Sequence, residues 1–232
     1  MHEMESEDNK PMNTSLVNKL SAREVILTGD GSFTLHVPEV DETYHSRHGA
    51  LQESMHVFIE NGLHYWTKPK VRILEIGLGT GLNAMLTFLH AQSNVEYTAL
   101  EPFPLQKDVI SQIRNQWADR KGIFDLIHQA DTLNGIELSS SFLFNREKCL
   151  FQDWKPSVSY DIIYFDAFGP RVEPSLWTLE IMKKCYDVLS SGGIWVSYCA
   201  KGEVRRNLQT AGFQVERLQG PPGKREMLRA KK

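Results

Sequence analysis

A short apolar run that ends in an acid, then three glycines, then a run of helical period restricts this chain more than any other feature. Residues 71–76 read as a buried strand, Glu75-Ile76-Gly77-Leu78-Gly79-Thr80-Gly81-Leu82-Asn83 closes it, and residues 81–92 read as a helix. Glycines between a strand and a helix let the backbone and the helix N-terminus approach a ligand closely. That turn belongs to an open, mostly parallel sheet, so strands and helices should alternate around it. They do: residues 95–101, 147–152, 160–166 and 194–199 read as strands, with helices at about 104–117, 176–189 and 203–211. Residues 213–218 and 227–230 read as a closing antiparallel hairpin.

Two stretches stand apart. Residues 123–145 fit the alternation badly and read as an insertion, and residues 1–20 lack periodicity and read as a disordered tail. Between tail and core, residues 24–28 and 32–37 flank Gly29-Asp30-Gly31 and read as a hairpin. Leu51, Met55, Phe58 and Ile59 then fall at helical spacing within residues 48–63. The expected organisation is one α/β domain over 21–232, with a hairpin-and-helix extension at 21–65 and a Rossmann-like core at 71–232.

The glycine motif also narrows the ligand. A dinucleotide fingerprint needs glycine at position 82, which is leucine, and no Gly-Lys-Ser/Thr of a P-loop is present. A G-x-G-x-G preceded by an acid is the form seen in class I S-adenosylmethionine-dependent methyltransferases. Glu75, Gly77, Gly79, Gly81 and Asn83 are therefore the first cofactor-binding candidates. Glu101 ends the next strand, twenty residues after Gly81, where a carboxylate can accept from both ribose hydroxyls. Asp153 closes the strand expected at 147–152 and is the candidate adenine contact. Asp131 competes for that role, because residues 124–130 could instead be the strand.

Tyr160 to Pro170 delivers Asp166, Phe168 and Pro170 to the carboxyl edge of the sheet, where open α/β folds bind ligands. An acid followed by an aromatic and a proline is similar to the Asp-Pro-Pro-Tyr motif of methyltransferases acting on amino nitrogens. An amine attacking a sulfonium methyl gains positive charge, and a fixed carboxylate stabilises that charge and orients the lone pair. Asp166 thus serves as both cofactor-side and catalytic candidate.

Composition excludes several classes. No apolar run approaches the roughly 18 residues that span a bilayer, and the polar, acidic first ten residues are neither signal nor transit peptide. Cys149, Cys185 and Cys199 lack C-x-x-C spacing, which points to a reducing cytoplasmic setting and away from disulfides or zinc. His45 and His48 have no carboxylate at ligand spacing, so no metal is expected. Net charge is −3, but residues 201–232 carry nine Lys/Arg against three Glu. A local excess of that kind suits a polyanion.

At this point the chain resembles a known family. Tyr44-His45-Ser46-Arg47-His48-Gly49-Ala50-Leu51-Gln52-Glu53-Ser54, the glycine motif, Asp166-Ala167-Phe168-Gly169-Pro170, Pro174-Ser175-Leu176-Trp177-Thr178, Ala200-Lys201-Gly202-Glu203-Val204-Arg205-Arg206 and Gly220-Pro221-Pro222-Gly223-Lys224-Arg225-Glu226-Met227-Leu228 look like the methyltransferase part of the MnmC family. The resemblance runs from about residue 24 to 230. It implies methylation of the amine of 5-aminomethyl-(2-thio)uridine at the tRNA wobble position. No second glycine-rich nucleotide motif matches the family's flavin oxidase part, so the stand-alone form, MnmD, is expected, with S-adenosylmethionine and no FAD.

The same resemblance places Tyr44, Ser46, Gly49 and Glu53 over the cofactor or facing the amine, with Tyr44 and Glu53 joining Asp166 as catalytic candidates. Read from the residues alone, Gln52, Glu53 and Ser54 are equally the polar side of a helix. Lys201, Arg205, Arg206, Lys224 and Arg225 become candidate contacts to the phosphates of an anticodon stem-loop. Phe168, Trp177 and Tyr198 are candidate platforms for a splayed base, though residues of this kind are more often core than platform. A small-amine methyltransferase or spermidine-synthase-like aminopropyltransferase, and a non-catalytic RNA-binding methyltransferase fold, are the competing readings.

Overall fold

The computed structural model describes residues 22–130 and 135–232. Strands β1 (Glu24–Leu27), β2 (Phe33–Val37) and β3 (Glu42–Thr43) make a small antiparallel sheet. The turn between its first two strands reaches forward: Asp30 Oδ2 accepts from the Gln52 N–H at 2.9 Å, holding the start of helix α1 (Ala50–Ser54). A π-helical segment, Met55–Glu60, continues α1.

The buried face of this helix matches the expected one at Phe58 and Ile59 but not at its start. Ala50, Glu53, Ser54, Val57 and Phe58 are buried at i, i+3, i+4, i+7 and i+8, whereas Leu51 is 39% exposed. Turning Val57 and Phe58 inward forces Glu53 and Ser54 inward with them. A buried carboxylate is tolerated only if donors meet it. Two do, the Ser46 N–H and the Lys224 ammonium.

Eight strands form the large sheet: β4 (Lys70–Ile76), β5 (Asn94–Leu100), β6 (Ile136–Ser139), β7 (Phe142–Glu147), β8 (Tyr160–Phe165), β9 (Leu189–Ser197), β10 (Gln214–Gln219) and β11 (Glu226–Lys231). Their order is β10-β11-β9-β8-β4-β5-β7-β6. The central five pair in parallel, while β6 and β11 run antiparallel to them and β10 pairs antiparallel with β11 at the edge. Helices α2 (Leu82–His90), α3 (Lys107–Ile113), α4 (Lys121–Gln129), α5 (Leu179–Val188) and α6 (Gly202–Thr210) complete the α/β alternation.

The expected insertion at 123–145 is instead part of the alternation, and the strand expected at 147–152 is displaced. Phe124, Ile127 and His128 are buried at helical spacing in α4, so residues 124–130 are not a strand either. Phe142 and Phe144 alternate inward in β7 and pair with Val95 and Tyr97 of β5. The apolar Leu150 and Phe151 belong to a turn that lines a cavity and packs on Trp154. Asp131 lies outside the described residues.

Side chains of period 2 build two cores on opposite faces of the sheet. Ile73, Tyr97, Phe144 and Tyr164 face α2, α4 and the α1 segment, while Leu74, Ile163, Phe165 and Trp195 face α5 and α6. Among the described residues no helix is long and apolar enough to cross a membrane.

Strand register sets the position of the site. Ile76 pairs with Leu100 on one side and Phe165 on the other, and Leu100 pairs with Glu147. The residues leaving these strand ends, Gly77, Glu101 and Asp166, therefore emerge level at one sheet edge. This is also where the strand order switches direction about β4, the position at which open α/β sheets bind ligands.

Candidate active site

A cavity lies over that edge, lined by Tyr44, His45, residues 76–79, residues 100–103, residues 149–152, residues 166–168, Glu173 and Leu176. Its floor is the glycine turn. Gly79 has φ +52°, and a Cβ there would stand 2.8 Å from Tyr44 Cδ1, so only glycine lets the Tyr44 ring lie against the turn. Tyr44 meets Phe168 edge-on at 5.0 Å.

Glu101 is 8% exposed and lines the cavity. The Gly79 N–H donates to its Oε2 and the Phe103 N–H to its Oε1, each at 2.8 Å. The carboxylate is thus fixed in place, and each oxygen keeps acceptor capacity for a further donor.

Behind the floor, the amide of Asn83 joins two acids. Its Nδ2 donates to Glu75 Oε1 at 3.0 Å and to Asp166 Oδ2 at 2.8 Å. Burial, then the charge of Asp166, pushes the Glu75 carboxyl well above the usual range. For Asp166, burial first and the charge of Glu53 second push the carboxyl up to about 7, against the Asn83 hydrogen bond and Lys224. Burial and nearby Glu101 likewise push Glu173 up to about 7.

The expected cofactor residues separate in space. Gly77, Gly79, Glu101 and Asp166 line the cavity, whereas Glu75, Gly81 and Asn83 stand behind its lining and support Asp166 and the turn. Asp153 is exposed and lies off the cavity. The displaced strand explains it: residues 149–152 form the wall, and Asp153 has turned past it. Gln152 lines the cavity instead, and its Oε1 is buried with no partner among the described residues.

A second, open cleft adjoins, lined by Tyr198, Ala200, Lys201, Arg217, Lys224, Arg225 and Glu226. Tyr198 stands at the junction: its hydroxyl donates to the Ala167 carbonyl at 2.9 Å, and Lys224 Nζ lies 4.0 Å from its ring centroid. Lys224 also ion-pairs with Glu53 Oε1, while Glu53 Oε2 accepts from the Ser46 N–H at 2.7 Å. Both oxygens of the buried carboxylate are thereby met.

Of the other expected tRNA contacts, Lys201 and Arg225 line this cleft, whereas Arg205 and Arg206 sit beside it on the first turns of α6. Pro170 is half-buried and lines neither opening. Trp177 is 4% exposed, donates from Nε1 to the Phe168 carbonyl at 2.8 Å and packs on Phe165. It is a core residue, not a stacking platform.

Sequence reasoning missed several residues that hold the rim. Arg171 donates to the Val40 and Asp41 carbonyls at 3.0 and 2.9 Å and pairs with Glu42, tying the loop after Asp166 to the small sheet. Arg23 donates to the Phe103 carbonyl at 2.9 Å. The Lys184 ammonium bonds the carbonyls of Phe151, Gln152 and Trp154, fixing the wall turn. Glu173 and Arg217 were also missed. Only Glu173 had a signal, as an acid in the loop that follows a strand-end motif.

These features fit S-adenosylmethionine. Glu101 offers two acceptors for a pair of hydroxyls, the glycine turn permits close backbone approach, and Gln152 supplies an unpaired acceptor. Among the described residues no Lys or Arg lines the cavity, and burial lowers His45 to about 4, so it is neutral near pH 7. A nucleoside without phosphate suits such a wall.

The fold and site thus define a class I methyltransferase. A family model described as S-adenosyl-L-methionine-dependent methyltransferase matches residues 107–232, and the chain belongs to that family, as an MnmC-type methyltransferase-domain protein. The tRNA 5-methylaminomethyl-2-thiouridine biosynthesis bifunctional protein MnmC of Pseudoalteromonas atlantica is 30% identical over 216 residues, covering 81% of this chain and 30% of that protein. The chain therefore spans about a third of the length of the curated MnmC proteins it matches. The crystal structure of MNMC2 from Aquifex aeolicus superposes with a TM-score of 0.68 at 25% identity, covering 90% of this chain and 70% of that one. Spermidine synthase from Thermotoga maritima shares the fold, with a TM-score of 0.58 at 16% identity, covering 90% and 68%.

Proposed function

We propose that this chain methylates the exocyclic amine of 5-aminomethyl-(2-thio)uridine at the tRNA wobble position, giving the 5-methylaminomethyl product. The observation that carries this reading is the meeting of the two openings at Asp166, Ala167 and Tyr198. A phosphate-free nucleoside cavity lies on one side, and a cleft with four Lys/Arg side chains lies on the other. The Tyr198 hydroxyl, bonded to the Ala167 carbonyl, links the two, so an acceptor lying in the cleft has the cavity beside it. S-adenosylmethionine supplies an electrophilic methyl group on a sulfonium.

Asp166, held through Asn83 and backed by Glu75, accepts a hydrogen bond from the acceptor amine and offsets the charge that develops on it. Glu101 accepts from the ribose hydroxyls, and Gln152 takes the adenine contact that the sequence assigned to Asp153. Tyr44 and Phe168 close the rim and exclude water. Lys201, Arg217 and Arg225 meet phosphates of the anticodon stem-loop in the cytoplasm, with the small sheet and the large one acting as one domain.

The fold likeness to spermidine synthase supports the competing small-amine reading, but a basic cleft repels a polycation. Transfer of labelled methyl to tRNA bearing 5-aminomethyluridine, with none to unmodified tRNA or to polyamines, is the expected result. Transfer to polyamines alone overturns the proposal.

A further inference from the structure

The junction between cavity and cleft already holds a cation. Lys224 lies in the turn at residues 220–225, yet its ammonium points inward, over the Tyr198 ring at 4.0 Å and against Glu53. Glu53 is 5% exposed and anchored by the Ser46 N–H. The Tyr198 hydroxyl bonds the Ala167 carbonyl, so its ring stands beside the chain leaving Asp166. The charges of Glu53 and Lys224 both act on Asp166. An aromatic face combined with a fixed carboxylate is a receptor for a primary ammonium on an alkyl stem. Lys224 is such a group.

The backbone that carries Lys224 is clamped. Gly223 has φ +85°, and a Cβ there would stand 2.4 Å from the His48 ring, so the turn packs directly on the N-terminal block. His56 Nε2 bonds the Gln219 carbonyl at 2.8 Å on the same side. The Lys224 Cα is therefore held, but its side chain is 33% exposed and opens on the cleft that contains Lys201, Arg217 and Arg225.

We propose that Tyr198 and Glu53, beside Asp166, form the receptor in which the acceptor's primary amine docks as an ammonium before it releases one proton to solvent and reacts as the neutral amine, and that Lys224 fills this receptor until the acceptor displaces it. The proposal deepens the amine-acceptor reading above but does not require the acceptor to be tRNA. In the empty receptor Lys224 spares Glu53 from being a buried, unpaired carboxylate. Once displaced, its ammonium leaves Glu53 and is freed for a phosphate in the cleft that it already lines, so amine entry and phosphate contact reinforce each other.

The test uses the full chain saturated with S-adenosylhomocysteine and follows the Lys224 Nζ resonance by nitrogen-15 NMR, assigned with Lys224→Arg. The nucleoside 5-aminomethyluridine should move that resonance to the position of a solvent-exposed lysine, and uridine should not. Lys224→Met removes the competitor and should bind 5-aminomethyluridine several-fold more tightly. Tyr198→Leu should bind it about 2- to 30-fold more weakly, the worth of a cation–π contact, and Tyr198→Phe should restore affinity. An unmoved Nζ resonance in the bound complex, weaker binding by Lys224→Met, or no binding to either protein overturns the receptor. Displacement of Lys224 by the nucleoside without methylation of any tRNA overturns only the tRNA reading.

Discussion

The cofactor side and the acceptor side of this site are built in different ways. On the cofactor side, consecutive residues at the ends of paired strands do the work: residues 76–79, 100–103 and 166–168 come level because β4, β5 and β8 are in register. Backbone N–H groups hold the key carboxylate, Glu101. On the acceptor side, side chains from remote segments hold one another, and Glu53 and Lys224 are 171 residues apart in sequence. The first construction depends on backbone geometry and on the glycines that permit it. The second depends on pairs, so removing either partner leaves a buried charge unmatched.

The largest expected effect tests where the two sides meet. Asp166→Asn keeps the volume and one acceptor but deletes the charge, and should lower single-turnover methylation by about 10²–10³. Affinity for cofactor and tRNA, measured separately, should change little, because the deleted interaction belongs to the transition state. Near-parental turnover would make Asp166 structural.

Glu101→Ala probes the cofactor side alone. It should weaken S-adenosylmethionine binding by about 1–3 kcal/mol in calorimetry, since it strands the Gly79 and Phe103 N–H groups as well as the ribose hydroxyls. Acceptor binding should be unaffected. An unchanged cofactor affinity removes Glu101 from that role.

A smaller effect isolates the cleft. Neutralising Lys201, Arg217 and Arg225 together should flatten the salt dependence of tRNA binding, by roughly 0.7–0.9 in log–log slope for each phosphate no longer neutralised. Cofactor affinity should hold. An unaltered slope would make these side chains solvated surface.

The smallest effect is a slope in pH. Asp166 and Glu173 are both raised to about 7 in the folded protein, from ordinary values of 3.8 and 4.5. A carboxyl that binds its proton more tightly when folded adds stability that is complete below its ordinary value and is lost as pH rises through about 7. Denaturation midpoints of the cofactor-free protein should therefore decline between about pH 4 and 7 and level off above that, and Asp166→Asn should decline less. Parallel curves for the two proteins would separate Asp166 from this linkage.

Much of the cofactor side was legible from residues in order along the chain. The glycine turn, Glu101 and Asp166 sit at ends of apolar runs, and a run of period 2 or 3.6 shows where it ends. The cavity wall at residues 149–152 was not legible, because Leu150 and Phe151 are apolar whether they form a strand or line a cavity. The phase of α1 was hidden for a related reason. Leu51 is apolar and exposed while Glu53 is charged and buried, and only Ser46 and Lys224 make the burial of Glu53 tolerable.

By itself, then, the sequence determined the α/β alternation, the strand-end positions of Gly77, Glu101 and Asp166, and the concentration of basic residues near residue 232, because each is written in local spacing. Tertiary structure alone decided which of those residues meet. Lys224 turned from an expected phosphate contact into the partner of Glu53, Trp177 went into the core, Asp153 left the cavity and Gln152 entered it. The physical reason is that a buried charge or an unpaired acceptor takes its character from whatever the fold brings to it, and that neighbour is remote in sequence.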